Sequence, residues 1–360
     1  MLQQTHVQVL EPALPDPEAS ADAASLNYVS DAEPGIRRRK AGTGFSYASS
    51  TGRRVDSRAT LDRIRKLAIP PAWTEVWISP DPNGHIQATG RDLRGRKQYR
   101  YHERWSACRD EAKYSSLVAF AEALPKLRAR IEVDLRKHSL TRERVVASVI
   151  WLLDNTMIRI GNATYARDNQ SFGLTTLRQR HVDLHGNKVR FTFKGKSGRQ
   201  WNLGLTDRRI VRIVRQAQEL PGQHLFQYVD DDGERRTVQS QDVNAYMREA
   251  MGADFGSKHF RTWGGTKTAA GLFTDTPLPE TKRETKIVLN GLIDQVADRL
   301  GNTRSVCRRC YVHPAIIDSW LGGTLQDEMK AARKGLPKKR DGLDAEEALV
   351  LAWLKKREAA

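Results

Sequence analysis

Residues 300–314 read Leu300-Gly301-Asn302-Thr303-Arg304-Ser305-Val306-Cys307-Arg308-Arg309-Cys310-Tyr311-Val312-His313-Pro314. The run before them, Lys282 to Leu300, places Ile287, Val288, Leu292, Ile293, Val296 and Leu300 at helical spacing. Gly301 stands where a helix stops in the left-handed conformation, and Thr303 where the next one is capped. The short second helix brings Tyr311 onto a basic surface near Arg304, Arg308 and Arg309. A phenol with a pKa of about 10 is a poor nucleophile at neutral pH. Positive charge and hydrogen-bond donors favour the phenolate and would activate it. A helix tyrosine tucked against a neighbour, with arginines on a solvated face, fits the same residues. The rest of the chain has to separate the two.

Upstream, Lys258-His259-Phe260-Arg261-Thr262-Trp263-Gly264-Gly265 enters another helix. Arg261 there is either a phosphate clamp or a turn residue. Earlier still, Asn187 to Phe193 and Gln200 to Leu205 form a hairpin in which Val189, Phe191 and Phe193 alternate with Arg190, Thr192 and Lys194. Its tip, Gly195-Lys196-Ser197-Gly198, presents Lys196: a commonplace exposed lysine, or a proton donor reaching into a groove. Thr141 caps a helix with Val145, Val146, Val149, Ile150, Leu152, Leu153 and Met157 on its apolar positions. That helix runs into Ile158-Arg159-Ile160-Gly161-Asn162. Arg159 is then a surface arginine at a helix end, favourable to the dipole, or a guanidinium on an apolar platform with Gly161 allowing close backbone approach. Helices are also expected over Asp207 to Gln218 and Asp242 to Met251.

Towards the N-terminus, a helix over Leu61 to Ala68 stops before Pro70-Pro71. Strand-like runs follow at Trp73 to Ile78 and His85 to Thr89, joined by a turn ending at Gly84. In Gly95-Arg96-Lys97-Gln98-Tyr99-Arg100-Tyr101-His102, a period of two puts Lys97, Tyr99 and Tyr101 on one face and Gln98, Arg100 and His102 on the other. Phenols, an amide and cations suit phosphate and base-edge contacts, though a basic edge strand would look similar. The expected fold class is α+β: a small N-terminal β-sheet domain and a larger, mainly α-helical domain containing a β-hairpin. The expected boundaries are a disordered acidic tail at 1–40, an α+β DNA-binding domain at 41–112, a helical catalytic domain at 113–325, and a basic C-terminal tail at 326–360. That last tail is expected to hold one short amphipathic helix, Glu346 to Lys356, carrying Leu349, Val350, Trp353 and Leu354.

The chain has 360 residues and a formal charge of +17. Residues 1–35 hold six carboxylates and no Lys or Arg, so the remainder carries +23. Such a basic body predicts a polyanionic partner. No run is apolar and long enough to span a membrane, and the N-terminus lacks the pattern of a signal peptide. Cys108, Cys307 and Cys310 make no disulfide framework, and the lone Cys307-x-x-Cys310 pair makes a zinc site unlikely on spacing grounds. A reducing, cytoplasmic setting is expected.

The ordered set Arg159, Lys196, Arg261, Asn302 and Tyr311 resembles the type IB DNA topoisomerases in their compact bacterial and poxvirus form. The likeness covers roughly residues 40–325. It rests on GRKQYRYH at 95–102, IRIGN at 158–162, FKGKSG at 193–198, HFRTWGG at 259–265 and GNTRSVCRRCY at 301–311, all in order. The nine-residue step from Asn302 to Tyr311 also matches. Tyrosine recombinases share this core and are the near alternative; a non-catalytic DNA-binding protein is a third reading.

The resemblance implies that Tyr311 attacks a backbone phosphorus to give a 3′-phosphotyrosyl link. Arg159 and Arg261 would bind the nonbridging oxygens, and Lys196 would protonate the leaving 5′-oxygen. Asn302 stands where family members often have histidine, and is left with an oxyanion contact only. The strand carrying Lys97, Gln98, Tyr99 and Tyr101 would touch DNA, closing a clamp with the catalytic domain, and Gly161, Asn162 and Tyr165 would add contacts. The partner is supercoiled double-stranded DNA, met by a monomer associated with the nucleoid. No metal, nucleotide or other cofactor is expected, in keeping with a sequence that lacks a GxxxxGK(S/T) loop and an acidic metal cluster.

Overall fold

The computed structural model describes residues 17–336 and 342–359. The chain divides into two compact units, Leu14–Ser115 and Ser116–Ala360. The first contains α1 (Pro17–Ala23), β1 (Ile36–Ala41), β2 (Gly44–Ala48), α2 (Arg58–Lys66), β3 (Thr74–Ile78), β4 (Ile86–Arg91) and β5 (Lys97–Tyr101). The strands form one antiparallel sheet in the order β2-β1-β3-β4-β5. Its core is Ile36, Val76, Ile78 and Ala88 from the strands and Ile64 from α2. β5 is an edge strand whose residues alternate in exposure, as its sequence period demands.

The expectation of a disordered tail reaching residue 40 needs correcting for residues 17–40. α1 is folded, Asn27 bridges to Gly84, and the backbone N–H of Val29 donates to His85 Nδ1 at 3.0 Å. The basic run 37–40 is a strand paired in register with β2. Arg38 donates to the carbonyls of Pro70 and Trp73 and lies 4.1 Å from the Phe45 ring centroid. Residues 1–16 lie outside the described residues.

A 33-residue helix, α3 (Glu103–Leu135), leads into the second unit. There follow α4 (Arg142–Thr156), α5 (Ala163–Asn169), β6 (Val182–His185), β7 (Lys188–Lys194), β8 (Gln200–Leu205) and α6 (Arg208–Glu219). The chain continues through β9 (Gln227–Val229), β10 (Arg235–Thr237), α7 (Ser240–Met251), α8 (Lys258–Thr274), α9 (Lys282–Leu300), α10 (Arg304–Cys310), α11 (Pro314–Leu321), α12 (Leu325–Lys334) and α13 (Ala345–Glu358). β6-β7-β8 form one small sheet, with Val189, Phe191 and Phe193 buried, and β9 and β10 another. The architecture is therefore α+β, with a larger helical region carrying small sheets. α8 is buried almost all round, and α4, α9, α11 and α13 pack against it.

The short amphipathic helix expected over 346–356 is α13. The tail around it is more closely docked than expected: α13 seats Leu349, Val350, Trp353 and Leu354 in the core, with Trp353 1% exposed. An apolar stripe of this kind finds a partner surface when the rest of the domain supplies one. Of the tail expected over 326–360, residues 337–341 and 360 lie outside the described residues; the portion up to Lys334 belongs to α12.

Candidate active site

α4 starts on its Thr141 cap and stops at Met157, which takes the left-handed conformation at φ 55°. The chain then leaves the helix before Arg159 instead of running through it. The departing segment is pinned by Leu174 N–H to the Arg159 carbonyl at 2.9 Å and Thr175 N–H to the Ile160 carbonyl at 2.7 Å. Gly161 has φ +101°, and a Cβ there would come within 2.9 Å of Thr176 Oγ1. Glycine is what lets the two backbones cross. Ile158 is buried, and the Arg159 side chain donates to Asn302 Oδ1.

Arg261, on α8, is 3% exposed. Its Nη1 donates to the Met157 carbonyl, and its Nη2 donates to the Leu300 carbonyl at 2.6 Å. Thus the carbonyls at two helix ends, one closing α4 and one closing α9, hold one guanidinium. The glycines that follow explain the approach. A Cβ on Gly264 would lie 2.6 Å from Met157 Cε, and one on Gly265 would lie 2.6 Å from the Tyr311 carbonyl oxygen.

α9 ends at Gly301 with φ 62°, and Thr303 Oγ1 caps α10 by accepting from Val306 N–H. Asn302 sits between them, its backbone N–H bonded to the Ala297 carbonyl at 2.9 Å. Tyr311 is the residue just past α10, and its ring centroid lies 5.0 Å from Arg261 Cζ. The phenol is thus flanked by guanidinium groups distant in sequence. The arginines beside it in the chain play a different part from the one expected: Arg304 pairs with Asp294, and neither Arg308 nor Arg309 lines the cleft.

That cleft, of about 270 Å³, is lined by Arg159, Gly161, Tyr165, Lys196, Arg261 and Tyr311 among others. Lys196 reaches it from the β7–β8 tip, where it is exposed on a single 3₁₀ turn. Asn162 spends its side-chain oxygen capping α5 through Tyr165 N–H at 3.1 Å. Four further lining residues, Ser171, Phe172, Ser257 and Lys258, were not anticipated. Lys258 had a signal: it precedes Arg261 by one helical turn and so shares its face. Phe172 and Ser171 had none, because they arrive through the crossing at Gly161.

Burial alone would raise the Tyr311 pKa; the charges on Arg261 and Arg159 outweigh it and hold the phenol below its ordinary value. Burial, reinforced by the charge on Arg159, brings Arg261 down to about 10. Burial also lowers Arg159. Cys307 is pushed up to about 12 by burial and stays a thiol. Of the five buried side-chain polar atoms without a hydrogen-bond partner among the described residues, two donors, Arg261 Nε and Asn302 Nδ2, belong to this site. Nor do those residues contain a group of three or more His, Cys, Asp or Glu able to hold a metal.

The remaining predicted contacts belong to the N-terminal unit. Tyr99 and Tyr101 are 42% and 44% exposed and stack with centroids 5.7 Å apart. Lys97 pairs with Asp31 at 2.6 Å. Gln98 lies on the opposite face from the tyrosines and donates to Asp92 at 3.0 Å. No helix among the described residues is long and apolar enough to cross a membrane.

Two family models match the chain. Residues 102–337 match the family described as "Eukaryotic DNA topoisomerase I, catalytic core", and residues 44–92 match "Bacterial DNA topoisomerase IB, N-terminal domain". The chain is similar to "DNA topoisomerase 1B" of Acanthamoeba polyphaga mimivirus, 34% identical over 77% of this chain and 85% of that protein. It is also similar to "DNA topoisomerase I" of Monkeypox virus, 21% identical over 73% of this chain and 82% of the relative. Similarity to "DNA topoisomerase 1" of Drosophila melanogaster is 27% identity over 64% of this chain and 23% of that longer protein.

Proposed function

Since the chain belongs to the type IB DNA topoisomerase family, whose members relax DNA through a phosphotyrosine, we propose that Tyr311 is the nucleophile of a compact, monomeric enzyme of the bacterial and poxvirus kind. The phenolate oxygen attacks a backbone phosphorus. The new bond joins tyrosine to a 3′-phosphate, and the bond to the 5′-oxygen breaks. Lys196 gives that oxygen its proton. Charge builds on the nonbridging oxygens in the transition state, where Arg159 and Arg261 meet it with the guanidinium N–H groups left over from their protein bonds, Arg261 Nε among them. Asn302 orients Arg159 through its oxygen and offers its amide N–H to the same phosphate.

The covalent link keeps the energy of the broken diester, so resealing is the reverse step with the 5′-hydroxyl as nucleophile. Neither nucleotide nor metal enters that balance. Between the two steps the duplex beyond the nick turns and loses its supercoils. The N-terminal unit contributes DNA contacts through Tyr99 and Tyr101, with the protein resident on the chromosome in the cytoplasm.

One observation carries the proposal: guanidinium groups from α8 and from the segment after α4 converge on one phenol, beside two buried donors without a protein acceptor. Groups built to stabilise a substrate's anionic oxygen have that character. The test is adduct trapping on supercoiled plasmid by denaturant, with EDTA present. Wild-type protein should give a covalent adduct mapping to Tyr311 and relaxed plasmid without strand exchange. Tyr311→Phe should retain DNA and give neither. Relaxation by Tyr311→Phe would refute the assignment, and exchange between DNA molecules would point to a recombinase.

A further inference from the structure

Glu347 lies on α13, beyond residue 337 where the catalytic-core likeness ends. It is 2% exposed, and a carboxylate so deep is costly unless fully paired. Oε1 accepts from Arg128 Nη2 at 2.8 Å and from Trp263 Nε1 at 3.3 Å. Oε2 accepts from Arg128 Nη1 at 2.7 Å and from the Asp344 N–H at 3.0 Å. Lys267 Nζ is 3.6 Å away. Arg128 also grips Asp154, with Nε to Oδ2 at 2.8 Å and Nη2 to Oδ1 at 3.0 Å.

These partners form a closed circuit. Asp154 lies in the last turn of α4, just before Met157, whose carbonyl receives Arg261. Trp263 and Lys267 lie on α8, which carries Arg261. The circuit therefore ties the helix that bears Arg261 and one of its two carbonyl anchors, that of Met157, to one carboxylate. Stability alone does not account for it. Leu349, Val350, Trp353 and Leu354 already seat α13, and a buried ion pair is commonly no better for stability than packed apolar groups.

We propose that Glu347 is a positioning residue for Arg261, so that the C-terminal helix completes the active site from behind. This rests on the transesterification reading above. It predicts a defect in the chemical step that passes through Arg261 and spares DNA binding.

The experiment measures single-turnover adduct formation on supercoiled plasmid, DNA retention and melting temperature. It uses wild type, E347Q, E347D, W263F and R261A, with E347Q and W263F repeated in the R261A background. W263F removes the indole donor to Glu347 together with part of a buried ring, so its melting temperature is read beside its rate. E347Q should slow adduct formation by about tenfold, the scale of a sub-ångström misplacement, while DNA retention stays near wild type. E347D should recover part of the rate. In the R261A background, E347Q should slow the reaction by less than about twofold, because residues acting as a unit do not add. Equal losses in both backgrounds, or a wild-type rate in E347Q, would overturn the proposal. If E347Q does not fold, W263F in the two backgrounds decides by the same criterion. Absence of a Tyr311 adduct in wild type would instead overturn the parent reading, and this one with it.

Discussion

Gly265→Ala adds a single methyl group where α8 meets the nucleophile. Built on the observed backbone, its Cβ would lie 2.6 Å from the Tyr311 carbonyl oxygen, 3.1 Å from Leu300 Cδ1 and 3.2 Å from Tyr311 Cβ. Ordinary contact begins near 3.4 Å, so helix and tyrosine must separate by about 0.8 Å. The closest obstacle is main chain and cannot rotate aside. Overpacking of this kind costs about 1–3 kcal/mol of stability, partly offset by roughly 1 kcal/mol from alanine's better helix propensity. Catalysis should suffer more: a displacement approaching 1 Å of a reacting group costs on the order of 10²-fold in rate. Single-turnover adduct formation should fall accordingly, with DNA retention near wild type. Gly271→Ala, on the same helix, is the control, since no atom beyond the helix's own neighbouring backbone lies within 4 Å of its Cβ; it should keep its rate and gain slightly in melting temperature. A folded Gly265→Ala variant that forms adduct as fast as wild type would refute the claim that this contact sets the tyrosine's position.

Other outcomes follow from the same geometry. Asn302→Ala removes the acceptor that holds Arg159 and one oxyanion donor, so single-turnover cleavage should drop by about 10²–10³ while DNA retention changes little. Because Tyr311 is held below the ordinary phenol pKa, the cleavage rate should rise with pH and level off below about pH 10. Arg261→Gln takes away the larger opposing charge and should move that rise to higher pH; identical profiles would contradict the stated cause. Trp353→Ala should cost about 3–5 kcal/mol in denaturant unfolding, since the ring is buried and its Nε1 donates to Glu328 at 2.8 Å. A loose tail would show no change.

What the sequence disclosed was local. Gly301 and Thr303 announce the break between α9 and α10 because each answers a backbone need within a few residues. Alternation at Val189, Phe191 and Phe193 likewise declares a one-sided strand. The end of α4 was missed because Met157 adopts a left-handed conformation without glycine's freedom to advertise it. Its carbonyl is taken by Arg261, 104 residues away, and no window of sequence contains that bond. The same holds for Arg38 in the strand at 36–41, whose charge reads as solvated until its partners are in place. Composition pointed to Arg304, Arg308 and Arg309 as the phenol's company, whereas tertiary contacts supply Arg159 and Arg261. Those two became visible earlier only through ordered motifs.

The anchoring of Arg261 by two peptide carbonyls has a consequence for how this protein can change. Carbonyl oxygens are the same whatever side chain their residue bears. Positions 157 and 300 can therefore drift among apolar residues over generations without unseating the guanidinium, provided the helix ends stay put. What such a lineage has to conserve at these positions is a bend of the chain, with apolar side chains that still fit against Gly264 and Gly265.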